Sequence, residues 1–430
     1  MSSPYKTVSV YTLGCKVNFT ETATIAREFE KEGLSLVSID EFADIYVINT
    51  CSVTENANTK CDRLVKRIKV TNPDAYIVIT GCYAQLKSKD LSRNKNIDLV
   101  VGSDVKINIP NIVKNKIKNS IITSKVEDIT SFKLSYSTGE RVRSFIKVQD
   151  GCDYNCSFCT IPLARGRSRS SRISEIIELT NSLEKQGFKE IVLSGINLGD
   201  FGNGNNENCY QLLKKLENST KIPRIRISSI EPNLLTDKIV DLLSSSKRFM
   251  PHLHIPLQSG SDRILKLMKR RYSKNFYYNK IKKIKNKIPN ISIGVDVIVG
   301  FPTETDADFN QTYKLLSELE VAYLHVFTYS ERENTMGMDI EPKVPQDTRN
   351  KRGKKLRELS DFLKSKFIIK NMNRSHTILI EGIDAQESHG YTENYIKVKV
   401  DNNNTSINQL VHVKPIMIME SSKHIKGQRI

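Results

Sequence analysis

Nine residues, Gly151-Cys-Asp-Tyr-Asn-Cys-Ser-Phe-Cys159, constrain this chain more than any other stretch. They carry three cysteines in a C-x3-C-x2-C spacing, directly after the strand-like run Ser144-Phe-Ile-Lys-Val148. Three thiolates on one tight loop can hold three corners of a cubane [4Fe-4S] cluster, whereas electron-transfer clusters normally take four cysteines. The fourth iron is then open to chelate a small molecule. Reductive cleavage of S-adenosylmethionine needs such an iron, because the sulfonium must lie beside the electron source. A zinc knuckle would want a fourth ligand close by, and the nearest histidine in the sequence is His252.

A second set of cysteines is spread over the first hundred residues, where one pattern recurs three times. The runs Val8–Tyr11, Asp44–Thr50 and Ala75–Gly81 lead to Cys15, Cys51 and Cys82. Each run is short, apolar and bounded, as buried parallel strands are, and amphipathic stretches at 20–32 and 55–70 supply crossover helices. The expected result is an open parallel α/β sheet over residues 1–105. Ligands of such sheets bind at the carboxyl ends of the strands, so the three cysteines are brought to one edge as a second three-thiolate site. The plainer reading, small buried residues at strand ends, accommodates one cysteine more easily than three in register. Cys61 on the intervening helix and Cys209 in a loop are read as incidental.

Residues 106–140 are rich in Lys, Asn and Ser and read as a connector. From 141 to 370 a new alternation begins, with strands expected near 143–148, 189–194, 223–229, 251–257, 291–299 and 321–328, and helices between them. Six successive βα units imply a partial (β/α)6 barrel with its active site at the carboxyl ends. The residues that follow those strands include Gly195, Asn197, Ser229, Glu231, Gln258, Gly300 and Pro302. Glycines permit close backbone approach, while amides, hydroxyls and carboxylates can hold the amino, carboxylate and ribose groups of an adenosyl ligand. The segment 346–370 reads as a helix with nine basic and three acidic residues. Beyond it, His376–Glu381, Tyr395–Val400 and Leu410–Lys414 alternate with period two, so 373–430 is expected to form a small antiparallel β-barrel. His376 and His412 fall within those strand patterns and are read as structural.

With 430 residues, 38% hydrophobic and 27% charged, the chain is globular and long enough for two or three cores. Eight cysteines are too sparse for a secreted disulfide scaffold and suit metal ligation in a reducing compartment. No leader pattern or membrane-length apolar run is evident, which places the protein in the cytoplasm. The net charge of +18 is concentrated in the middle of the chain: Lys247–Lys287 holds 13 basic residues against one acid, Asp262. So one-sided a block argues for a polyphosphate partner, most simply nucleic acid, with Lys282, Lys283 and Lys285 as candidate phosphate contacts. A generally Lys-rich background is the competing explanation.

Taken together, these motifs resemble the radical-SAM methylthiotransferases over essentially the whole chain. The words Thr12-Leu-Gly-Cys15-Lys-Val-Asn18, Asn49-Thr-Cys51-Ser-Val-Thr54 and Cys152 through Arg165-Gly166 are similar to the MtaB branch, although Phe19-Thr20-Glu21 departs from its usual continuation. The resemblance implies two [4Fe-4S] clusters, one on Cys152, Cys156 and Cys159 and a sulfur-delivering one on Cys15, Cys51 and Cys82. It also implies S-adenosylmethionine as cofactor and a C-terminal TRAM-like barrel that binds RNA. The implied reaction converts N6-threonylcarbamoyladenosine at position 37 of a tRNA anticodon loop to its 2-methylthio derivative, by hydrogen abstraction at adenine C2. An electron donor of flavodoxin or ferredoxin type and a sulfur source are the further partners implied. The MiaB branch, acting on isopentenyladenosine, and the RimO branch, acting on a ribosomal-protein aspartate, are the alternatives. A two-cluster electron carrier would need no basic block, and a non-catalytic RNA-binding relative would be expected to lack some of the six cysteines.

Overall fold

The computed structural model describes residues 5–52, 55–114, 119–139, 142–402, 404–419 and 424–430; Val53 and Thr54 of the second cysteine motif lie outside them. The N-terminal sheet has six parallel strands in the order Ser35–Leu36, Thr7–Thr12, Ile45–Thr50, Tyr76–Gly81, Leu99–Val101, Ser120–Ile122. Ile45–Thr50 and Tyr76–Gly81 are buried along their whole length, which is why they read as unbroken apolar runs rather than alternating ones. Helices Lys16–Lys31 and Glu55–Thr71 make the crossovers. The chain reverses its direction of travel across the sheet between Thr7–Thr12 and Ile45–Thr50, a switch point of the kind that opens a crevice.

Residues 106–140 do more than connect. Ser120–Ile122 completes the N-terminal sheet, Ile109 and Val113 are buried in its core, and Ser135–Tyr136 pairs antiparallel with the next domain's first strand. Short strands of three and two residues carry too little periodicity to be read from sequence.

The central strands are Ser144–Lys147, Glu190–Ser194, Arg224–Ile227, His252–His254, Ser292–Val299 and Tyr323–Thr328. They form two parallel sheets, joined by the bridges Ile225 to Phe249 and Ser229 to His254, while a bridge from Gln258 to Val297 extends the second sheet. Residues such as Ile191, Ile225, Leu253, Val295 and Leu324 face the surrounding helices in one large core. Their alternates, among them Glu190, Arg226, His254, Asp296 and His325, therefore project to the inner face. Helix Lys16–Lys31 of the N-terminal domain packs along the first strand, with the rings of Phe19 and Phe145 5.8 Å apart and Arg27 Nη2 donating to the Tyr136 carbonyl at 2.7 Å. Cys209 begins the helix Cys209–Ser219 and is buried in the core, not in a loop as expected; Asn208 caps that helix by accepting from Gln211 N.

The C-terminal barrel is closed and has five strands: His376–Ile383, Glu387–Thr392, Lys397–Asp401, His424–Arg429 and Leu410–Met419. Its pairings are antiparallel except that of Lys397–Asp401 with His424–Arg429, which is parallel. Glu387–Thr392 escapes a hydropathy reading because its buried positions are Ser388, Gly390 and Thr392. A Cβ at Gly390 would lie 2.0 Å from the Leu379 carbonyl oxygen, so the strands close here only around glycine. The Tyr391–Tyr395 turn meets the amino ends of the central strands: Arg226 donates to the Thr392 and Glu393 carbonyls at 2.9 Å, and the Tyr395 ring lies 4.7 Å from that of His252, tilted by 36°. His376 is held by Glu393 at 2.6 Å, a structural pairing. No helix among the described residues is long and apolar enough to cross a membrane.

Candidate functional site

The nine-residue loop leaves its strand through Gln149–Asp150, which pairs with Arg169–Ser170 and pinches the loop at its base. Gly151 sits at φ +69°, where a Cβ would come within 2.0 Å of the Arg167 carbonyl oxygen. Within the loop every thiol sulfur accepts a hydrogen bond: Cys152 from Tyr154 N at 3.4 Å, Cys159 from Ile161 N at 3.5 Å and Cys156 from Arg270 Nη1 at 3.1 Å. Burial pushes the Cys152 and Cys159 thiols up to about 12, so a trio of thiolates here calls for a cation among them. Arg270 is in turn paired with Glu231 and bonded to Tyr272, whose hydroxyl donates to the Pro256 and Leu257 carbonyls.

Around this loop lie the strand ends expected to form a ligand site. Gln149 Oε1 accepts both Ile196 N and Asn197 N at 2.9 Å, and a Cβ at Gly195 would press on that same oxygen. Buried Asn197 directs Oδ1 toward Glu231 N at 3.5 Å. Among the described residues its Nδ2 has no partner, nor do Ser228 Oγ and Asn233 Oδ1. Unsatisfied buried polar atoms on two successive loops, those after Glu190–Ser194 and Arg224–Ile227, are what a site built for a polar ligand presents. Ser229 is held through its backbone, its carbonyl accepting Leu198 N at 3.2 Å. Gln258, at φ +66°, lines a cavity of about 200 Å³ with Cys159, Asp296, Ile298, Phe327 and Tyr329. The close approach at Gly300 is to Arg349 Cγ, 2.3 Å from a built Cβ, beneath helix Gln346–Asn371, and Pro302 is buried.

Cys15, Cys51 and Cys82 follow three neighbouring parallel strands, with Thr12 beside Asn49 and Thr50 beside Gly81, and so share one sheet edge. Gly14 sits at φ +125°, and a Cβ there would also lie 2.6 Å from Cys51 Cβ, so glycine is required on both counts. This edge faces the loop of the other trio. Ser52 Oγ lies 3.4 Å from Thr160 Oγ1, setting the residue after Cys51 against the residue after Cys159. The helix that starts at Cys82 packs on Ile161–Arg165, and Arg165 Nε donates to Cys82 Sγ at 3.2 Å.

Lys282, Lys283 and Lys285 lie elsewhere. They occupy the carboxyl-terminal half of helix Lys274–Lys287, level with the amino ends of the strands. Lys283 pairs with Asp237 at 2.7 Å, and Lys285 donates to the Leu319 and Glu320 carbonyls at 2.9 and 3.0 Å. Lys282 Nζ is 5.5 Å from the Tyr278 ring.

Sequence reasoning did not single out Arg165, Arg270, Glu21 or the inner-face group His254, Asp296 and His325. In that group His254 Nε2 is 2.8 Å from Asp296 Oδ1, and the two imidazoles meet edge to face at 5.3 Å. The usable signal was strand alternation: in His252-Leu-His254 and Asp296-Val-Ile298 the polar positions are the ones that face inward.

Comparison with known proteins agrees with this geometry. Residues 146–316 match the Radical SAM superfamily, and residues 7–102 match an uncharacterized protein family, UPF0004. The chain is 36% identical over 399 residues to the threonylcarbamoyladenosine tRNA methylthiotransferase MtaB of Aquifex aeolicus, covering 91% of this chain and 96% of that one. It is also 36% identical to the MtaB of Bacillus subtilis, over 95% and 93% of the two chains. A tRNA-2-methylthio-N(6)-dimethylallyladenosine synthase of Staphylococcus haemolyticus is 30% identical, over 95% and 82%. Among solved structures, the radical S-adenosylmethionine methyltransferase TsrM of Kitasatospora setae superposes with a TM-score of 0.55 at 12% identity, over 78% and 77% of the chains, a likeness of fold.

Proposed function

The chain belongs to the MtaB family of radical-SAM methylthiotransferases, and from that premise we propose that it converts N6-threonylcarbamoyladenosine at position 37 of tRNA to the 2-methylthio derivative. The observation that carries the reading is the meeting of the two cysteine trios, Ser52 against Thr160 and Arg165 against Cys82. Radical generation and sulfur delivery must act on one carbon, so their sites must share a mouth.

On this reading Cys152, Cys156 and Cys159 hold one [4Fe-4S] cluster and Cys15, Cys51 and Cys82 the other. When bound, these clusters and S-adenosylmethionine supply the one-electron chemistry and the sulfur that an inert C–H bond requires. The protein's own part is placement. Arg270 steadies the Cys156 sulfur and is itself fixed by Glu231. Gly195, Asn197, Ser229, Glu231 and Gln258 surround the space for the adenosyl ligand, whereas Gly300 abuts Arg349. The polar inner face, with His254, Asp296 and His325, suits a base whose substituent bears amide and hydroxyl groups that can hydrogen-bond. An apolar isopentenyl group would leave such partners unpaired, at roughly 1–3 kcal/mol each. Division of labour follows the chain: 1–105 for sulfur, 141–370 for radical chemistry, and 373–430 for RNA. The tRNA anticodon loop, a flavodoxin- or ferredoxin-type reductant and a sulfur source complete the reaction.

The test is nucleoside mass spectrometry after incubating cluster-loaded enzyme with tRNA carrying either modification. Methylthiolation of the threonylcarbamoyl form, with the isopentenyl form nearly untouched, is expected. Equal rates, or the reverse preference, would reassign the substrate.

A further inference from the structure

Arg165 is fully buried, and all five of its N–H donors have a partner. Nε donates to Cys82 Sγ at 3.2 Å. Nη1 reaches Asp150 Oδ1 at 2.8 Å and Glu21 Oε1 at 3.0 Å, and Nη2 reaches Asn18 Oδ1 at 2.6 Å and Glu21 Oε2 at 3.2 Å. Asn18 passes the constraint on, because its Nδ2 donates to the Leu13 carbonyl at 3.1 Å and the Thr50 carbonyl at 2.8 Å. Leu13 precedes Cys15 by two residues, and Thr50 precedes Cys51 by one. One guanidinium and one amide therefore tie together all three segments that bear the N-terminal cysteines. The same guanidinium grips Asp150, two residues before Cys152. Glu21 is balanced further by Lys106 at 2.6 Å and Lys147 at 3.0 Å, and together with Arg165 they hold its carboxyl well below the usual range against the opposing effect of burial.

Building on the cluster assignment above, we propose that Arg165 is a positioning residue that locks the two cysteine sites into one unit and, through its Nε–H bond to the Cys82 sulfur, sets the reduction potential of the cluster held there. A hydrogen bond to a ligating sulfur stabilises the extra negative charge of a reduced cluster and raises its potential. The arrangement also differs from simple docking: an ion pair to Glu21 and Asp150 alone would join the domains without any donor on sulfur.

The experiment uses the full chain with Cys152, Cys156 and Cys159 replaced by Ala, so that iron loads only at the second site. EPR-monitored redox titration should show a more negative midpoint for Arg165→Gln, and a smaller shift in the same direction for Arg165→Lys, which keeps the charge but loses the planar fork. An unchanged midpoint in an iron-loaded Arg165→Gln chain overturns the potential-setting role. Should that chain fail to fold, pulsed EPR on the intact-Arg165 chain labelled with 15N-arginine still decides the matter. A 15N coupling to the reduced cluster is expected, and Arg270 cannot produce it once the Cys156 cluster is gone. Absence of that coupling overturns the proposal. If the triple-alanine chain takes up no iron at all, the cluster assignment beneath the proposal fails, and the proposal with it.

Discussion

The two cysteine trios present the same three thiols in opposite ways. Cys152, Cys156 and Cys159 come from one loop closed by its own backbone, with Cys152 N bonded to the Gly166 carbonyl at 3.1 Å and Cys159 N to Cys156 at 3.1 Å. Cys15, Cys51 and Cys82 are assembled from three strands that must first find their places in a sheet. The first needs closure of short loops only; the second has a high contact order and depends on global folding. Local closure therefore makes the first site robust to changes in the sheet, whereas the second inherits every fault of the N-terminal domain.

The largest effects should come from the cysteines and should separate the two sites. Cys156→Ala is expected to abolish 5′-deoxyadenosine release under reducing conditions, while Cys51→Ala keeps that release and loses methylthiolation of tRNA. A Cys51→Ala chain that still methylthiolates would erase the distinction between the trios. Next in size is Arg270→Met, which leaves Glu231 beside Cys156 without its cation. Breaking such a buried pair costs about 3–5 kcal/mol, read as a lower thermal midpoint together with lost S-adenosylmethionine cleavage. Equal stability would mean that the local site needs no support beyond its loop.

Gly14→Ala probes the dispersed site. Its φ of +125° and the 2.6 Å approach to Cys51 Cβ predict a cost of about 1–3 kcal/mol, with sulfur insertion falling well before S-adenosylmethionine cleavage. A parallel loss of both would show that the Arg165 lock carries the fault from the dispersed site to the loop. The smallest effect concerns RNA affinity. Reversing Lys282, Lys283 and Lys285 should flatten the salt dependence of tRNA binding by less than about one log-log unit per residue, since two of the three are engaged within the protein. A full unit for each, measured by filter binding across a salt series, would place the RNA against that helix.

Both trios were visible in the sequence, for different reasons. The loop announced itself by spacing, and the dispersed set by three apolar runs each ending at a cysteine, because strand carboxyl ends share an edge whatever the rest of the fold does. The six central strands were legible from the same apolar periodicity, and helix Asp306–Leu319 from its amphipathic pattern. Glu387–Thr392 was not, since Ser, Gly and Thr fill its buried positions, and Ser120–Ile122 was too short to show a period.

The basic block shows where composition stops. Lys247–Lys287 is one-sided in sequence, yet Asp237, Asp241 and the carbonyls of Leu319 and Glu320 meet its lysines from helices before and after it. Local charge counting cannot see such partners. The sequence by itself thus determined which residues can ligate metal and roughly which strand each follows, because spacing and hydropathy are local properties of the chain. Only the tertiary structure decided that the two trios face one another and that Arg165 joins them, because Glu21, Cys82 and Arg165 lie far apart in the sequence and a buried charge leaves no local mark until its partners are folded around it.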